Sequence, residues 1–170
     1  MTPAQPSATL DIDELDVIAP GAFAAAVAPL FEGARGFLGR LALARPFDSV
    51  DVMFERAREI AHAMPLDEQL ELIDAHPRLG AAPAAVSDLS RVEQASGADD
   101  PAVTAELEHL NAAYEARFGF RYCVFVAGRS RLALLPAFRA ALDADRVTEI
   151  ERALDAVVDI ARARYATLTA

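Results

Sequence analysis

The stretch 146–168, RVTEIERALDAVVDIARARYATL, decides the fold. Ile150, Leu154, Val157, Ala161, Arg164 and Leu168 recur at three- and four-residue spacing, which draws one inward stripe along a long helix. Glu151, Asp155, Asp159 and Arg162 form the opposite stripe, a ladder of charge expected to face water. A helix of this length must bury its stripe against something, and the segments before it offer mainly helices. The spacing predicts helices at about 130–143, 101–117 and 90–97, another over Leu66–Ala75, and another over Arg35–Ala44. Asp48 is a suitable N-cap for a helix in which Val52, Ile60 and Met64 recur, and Pro20-Gly21 opens one running to about Leu30, with Phe23, Val27, Leu30 and Phe31 on one face. Pro136 lies inside a helical pattern, so that helix should be kinked or start later than 130. The stretch 78–89, RLGAAPAAVSDL, is loop.

Only Tyr122–Val126 (YCVFV) reads as extended, and one such run without a partner makes no sheet. The expected class is all-α: a compact single-domain bundle of about eight helices with one short extended segment, over residues 10–170, after a loose tail at 1–9.

Composition narrows the function. At 170 residues, 54% of them hydrophobic, the chain can bury a full core. Sixteen basic against 26 acidic residues give a net charge of −10 with no basic cluster, which argues against nucleic acid and anionic membranes as partners. An anion site in such a field has to be local, built from one or two aimed arginines. No run approaches a membrane span, and neither a secretory signal pattern nor a peroxisomal ending of the Ser-Lys-Leu type is seen, so a cytoplasmic location is expected. The single Cys123 fits a reducing compartment, and three scattered His with one Cys give no metal-ligand spacing.

Against this background a few polar residues stand out. His76-Pro77 closes the 66–75 helix. An imidazole there can simply favour the helix C-terminus, but a proline-fixed imidazole beside a long loop is also a suitable acid/base group. Ser90, Glu93 and Gln94 share one helical face at i, i+3 and i+4. Ser90 and Glu93 alone fit a capping box; Gln94 has no place in one, and the three together offer a hydroxyl, a carboxylate and an amide to one ligand edge. Arg164 points inward and needs a partner, either a buried carboxylate or a substrate anion, whereas Arg162 belongs to the surface stripe. His62 and His109 read as surface or core residues, Cys123 as a small core residue, and Phe118-Gly119-Phe120 as a helix stop with both aromatics packed.

Taken in order, A75-H76-P77-R78-L79, S90-R91-V92-E93-Q94, N111-A-A-Y114-E-A-R117-F118-G119-F120 and R162-A163-R164 resemble the motifs of the 2-oxo-4-hydroxy-4-carboxy-5-ureidoimidazoline (OHCU) decarboxylases. F31-E32-G33 and R45-P46-F47 extend the likeness upstream. The resemblance implies an all-α fold, commonly a homodimer, with no metal and no organic cofactor. The implied activity is loss of CO2 from a small ureidoimidazoline with formation of (S)-allantoin in urate breakdown. It further implies His76 as the acid/base residue with Glu93 as its carboxylate partner. Ser90 and Gln94 would bind the ring or ureido group beside Pro77, the backbone at Tyr122 and Val124 would line the ring, and Arg164 would hold an anionic group. The competing readings are a catalytically idle helical relative serving as a partner-binding unit, and a lyase or hydrolase for another ureido acid.

Overall fold

The last helix occupies the middle of the molecule. In the computed structural model, which describes residues 10–81, 87–90 and 100–170, the order is α1 (Ile12–Val17), α2 (Pro20–Val27), a 3-10 turn (Ala28–Phe31), α3 (Arg35–Leu43), α4 (Val50–Ala63), α5 (Leu66–Asp74), α6 (Pro101–Phe118), α7 (Arg131–Ala141) and α8 (Arg146–Leu168). Residues 88–90 are also helical, and the described residues contain no strand. The class is all-α. Helix α8 packs against α4, α5 and the 3-10 turn; α3 touches α2, α4 and α5; and α6 pairs with α7. Burial of Ile150, Leu154, Val157, Ala161 and Arg164 follows the expected stripe, while Leu168 is exposed beyond the end of the core. Ala153, Ala156, Val158 and Ile160 are buried as well, so α8 is enclosed on more of its circumference than one stripe requires.

Local chemistry sets the boundaries. Asp100 and Asp145 cap α6 and α8 with side-chain oxygens, Pro20 and Pro101 open their helices, and Gly119 closes α6 in the left-handed conformation at φ 80°. The N-cap of α4 is Ser49 rather than Asp48: Ser49 is extended and accepts from the Val52 amide, while Asp48 sits at φ 63° and gives its own amide to Asp16. The inward face of α4 is Met53, Phe54, Ala57 and Ala61; Val52 is exposed and Ile60 only partly buried, because the alanines allow the close approach of α8. Helix α7 runs from Arg131 through Pro136. The missing proline N–H would have met the carbonyl of Leu132, in the exposed first turn, where water can replace it.

Two further differences bear on the site. The segment from Pro20 is not one helix: it tightens at Ala28 into the 3-10 turn containing Pro29 and ends with Glu32 at φ 52°. The carbonyls of Pro29 and Leu30 are left over at that end, and Arg164 bonds them. The short helix α1, capped by Asp11, was not expected from the sequence. The acidic stripe of α8 is also not free in water. Asp155 and Asp159 pair with Arg58 and Asp155 with His62, both on α4, and Arg162 pairs with Asp51.

Candidate active site

Helix α5 ends at Asp74, and the chain turns through Ala75 into His76 and Pro77. Arg121 fixes this corner from outside by donating to the carbonyls of Asp74 (2.9 Å) and His76 (3.2 Å), and Asn111 donates to the Leu79 carbonyl at 3.0 Å. The imidazole is 3% exposed, and its Nδ1 lies 3.1 Å from the Leu72 carbonyl. A carbonyl only accepts, so Nδ1 carries the hydrogen and neutral His76 has its lone pair on Nε2. Burial, and then the nearby positive charge of Arg164, push its pKa down to about 4, against weaker upward pulls from Leu72 and Glu32. Nε2 is buried and has no hydrogen-bond partner among the described residues.

Arg164, two per cent exposed, is held at several points. Nη1 donates to the Pro29 carbonyl at 3.0 Å; Nη2 donates to Glu32 Oε1 and to Ser90 Oγ, each at 2.8 Å. Ser90 in turn donates to Glu32 Oε1 at 2.6 Å, and Ser87 donates to the same oxygen at 2.8 Å. Burial alone would raise the Glu32 carboxyl, but the Ser90 and Ser87 hydroxyls and the Arg164 charge outweigh it and hold Glu32 below the usual carboxylate range. The buried-carboxylate partner for Arg164 is therefore real, and Arg164 nevertheless reaches the cavity wall.

Ser90 does not cap its helix. Residues 88–90 are already helical, and the Ser90 amide donates to Ser87 Oγ, which makes Ser87 the capping residue. That leaves the Ser90 hydroxyl for Arg164 and Glu32. Glu93 and Gln94 lie outside the described residues.

His76, Pro77, Ser90, Tyr122, Val124 and Arg164 line one cavity of about 230 Å³, closed by Leu79, Val126 and Ile160. These are all the expected site residues that the structure describes. Cys123 is buried as expected but belongs to the same wall. Glu32 was missed. Its signal was present in two places: an acidic residue follows the Pro29 turn in F31-E32-G33, and an inward Arg164 demanded a carboxylate. Among the described residues no three His, Cys, Asp or Glu side chains gather as metal ligands would.

A neutral imidazole and a buried guanidinium on the wall of one small, largely apolar cavity equip an acid/base enzyme for a small anion. The sequence model of the OHCU decarboxylases matches residues 17–166. The chain belongs to the OHCU decarboxylase family. It is 30% identical to the 2-oxo-4-hydroxy-4-carboxy-5-ureidoimidazoline decarboxylase of Haloferax volcanii, over 92% of this chain and 95% of that protein. It is 33% identical to the uric acid degradation bifunctional protein PucL of Bacillus subtilis over 82% of this chain, but spans only 28% of that longer protein. The fold is also that of a crystal structure of OHCU decarboxylase in the presence of (S)-allantoin (TM-score 0.69, 22% identity, 84% of this chain and 95% of that one). An (S)-allantoin synthase structure is likewise similar (TM-score 0.71, 18% identity, 94% and 53%).

Proposed function

We propose that this cavity decarboxylates OHCU to (S)-allantoin and CO2, with His76 moving the proton and Arg164 holding substrate negative charge. The observation that carries the assignment is the fixed tautomer of His76. A buried imidazole with Nδ1 tied to Leu72 offers one lone pair, at Nε2, on the wall that also carries Arg164 and Ser90.

In the reaction the bond from the ring carbon to its carboxylate breaks, its electron pair passes into the conjugated ring, and CO2 leaves. The ring then takes one proton on carbon. At neutral pH His76 is uncharged, so it acts first as a base, accepting the proton of the substrate hydroxyl as that carbon becomes a carbonyl. The imidazolium so formed is buried near Arg164 and is strongly acidic, so it returns the proton readily, to one face only. Loss of CO2 from a carboxylate consumes one proton overall, which the ring anion takes from water. Arg164 and Ser90 orient the anion and stabilise the spreading charge, and the family resemblance adds Glu93 as the carboxylate partner of His76 and Gln94 as a ring or ureido binder. The apolar walls at Leu79, Val126 and Ile160 favour a charge that spreads over one confined to a carboxylate.

Residues 10–170 act as one catalytic domain, in the cytoplasm and as a homodimer on this reading. The homodimer is what the family resemblance implies. No helix among the described residues is long and apolar enough to cross a membrane. The test is chiral. OHCU is generated freshly, the protein is added, and (S)-allantoin is followed by circular dichroism. A signal no faster than spontaneous decay would leave the chain an idle relative, or a lyase for another ureido acid.

A further inference from the structure

The cavity wall at 122–126 is irregular backbone, neither helix nor strand. With no strand among the described residues, no ladder holds its register, and something else must fix which peptide groups face the ligand. Arg152 of α8 is placed to do so. Its Nη1 donates to the Cys123 carbonyl at 2.8 Å, and its guanidinium carbon lies 4.7 Å from the centre of the Tyr122 ring. That ring is stacked against Phe138 of α7, at 3.7 Å and 9°. The other edge of the guanidinium is taken up by Glu149, at 2.8 Å from Nη2 and 3.0 Å from Nε. Glu149 is 2% exposed and also accepts the Tyr114 hydroxyl of α6 at 2.6 Å. Three helices thus converge on one peptide of the wall, while Arg152, Glu149 and Tyr114 themselves stand behind the lining.

We propose that Arg152 is a positioning residue, which holds the Cys123 carbonyl and the Tyr122 ring from behind and so turns the Val124 amide toward the substrate. In a trans peptide the carbonyl and the next N–H point in opposite directions, so a carbonyl drawn toward Arg152 sends the Val124 N–H away from it. Val124 lines the cavity, and its amide has no backbone acceptor among the described residues. A ureidoimidazoline supplies the matching acceptor, a ring or ureido carbonyl. The geometry calls for arginine: one planar group grips Glu149 along one edge, Cys123 with another nitrogen, and lies over an aromatic face. Lysine retains the charge that buried Glu149 requires but cannot make all three contacts.

The inference rests on the decarboxylase reading, and its test separates the two. Steady-state kinetics on freshly generated OHCU are compared for the wild type, Arg152→Lys, and the neutral pair Arg152→Met with Glu149→Gln. Loss of one aligned donor should raise KM about tenfold, the scale of a single hydrogen bond. The acid limb of the pH profile, which belongs to His76, should not move, and the melting curve should still show a cooperative fold. In the wild type, titration with (S)-allantoin should shift the Val124 amide resonance and slow its hydrogen exchange, a readout independent of any variant's folding. A folded Arg152→Lys enzyme with wild-type KM overturns the proposal, as does a Val124 amide indifferent to (S)-allantoin. A wild type that forms no (S)-allantoin overturns the decarboxylase reading instead.

Discussion

The Nδ1 of His76 and the carbonyl oxygen of Leu72, one helical turn earlier, are 3.1 Å apart, and this contact fixes the tautomer of a buried imidazole. The sequence marks where the imidazole leaves the helix. The structure adds that its far nitrogen is buried without a hydrogen-bond partner among the described residues and unprotonated at neutral pH.

That buried neutral state has a consequence for stability. An imidazole with an ordinary value of 6.5 when unfolded and about 4 when folded binds its proton first in the unfolded chain. Stability from this residue is therefore present above pH 6.5, falls as the pH drops from 6.5 to 4, and levels off below. The full span corresponds to about 3 kcal/mol. Urea midpoints for the wild type and His76→Asn, measured from pH 7 to pH 4, should show the slope in the wild type and a shallower one in the variant. Parallel slopes would mean that the imidazole is not held neutral by the fold.

The catalytic consequence is separable. His76→Ala should fold and lose turnover by roughly 100-fold or more, the scale of positioned acid/base catalysis. In the wild type the acid limb of kcat/KM should lie well below the ordinary imidazole range, because the base stays unprotonated down to about pH 4. A near wild-type rate in the alanine variant would remove His76 from the reaction.

Ser87 and Ser90 divide roles that the S-x-x-E motif assigns to Ser90 alone. Ser87→Ala removes the oxygen that the Ser90 amide uses, a helix-cap loss of about 1 kcal/mol, and one of the two hydroxyl donors to Glu32, but leaves the Ser90–Arg164 contact in place. Ser90→Ala removes an acceptor from Arg164 and a donor from Glu32 inside the cavity wall. The expected pattern is a stability loss with substrate affinity largely kept for the first, and about tenfold weaker binding of a substrate analogue for the second. Equal effects on binding would mean that both serines act only through the helix start.

Glu93 follows the same logic. Since Ser87 caps this helix, a capping box between Ser90 and Glu93 is not needed to explain the pattern. Glu93→Gln should cost a large fraction of the rate with little change in melting temperature, measured side by side. An active variant would return Glu93 to a structural role.

Much of this fold was legible because periodicity reports burial directly. The α8 stripe, the Phe23–Phe31 face, the Gly119 stop and the absence of a sheet among the described residues follow from spacing and one left-handed glycine. The errors came where two local rules competed. Asp48 and Ser49 are both good caps, and only backbone geometry, φ 63° against −156°, decides between them. Along α4, Met64 is buried and Ile60 packs at the edge of the core, but Val52 is exposed, because the contact face centres on Met53, Phe54 and the small Ala57 and Ala61. The site was readable through single residues, His76, Ser90 and Arg164, and not through their partners. Glu32 lies 132 positions from Arg164, and no local pattern joins them.

That partnership sharpens the remaining test, which sets Arg164 against Arg162. Arg164 is enclosed and divides its guanidinium among Pro29, Glu32 and Ser90 at the cavity wall; Arg162 is half exposed, pairs with Asp51, and lies over Phe54 at 5.7 Å. Lysine at 164 keeps a charge for Glu32 but cannot also reach the turn carbonyls and Ser90 with a planar fork. Substrate-analogue binding and turnover should fall by tenfold or more in Arg164→Lys. The exposed ion pair at Arg162 contributes at most about 1 kcal/mol, so Arg162→Lys should stay near wild type in both measurements. If the Arg162 variant is the crippled one, the face of α8 that lines the site has been assigned backwards, and the cavity described by His76, Ser90 and Arg164 is not where the substrate binds.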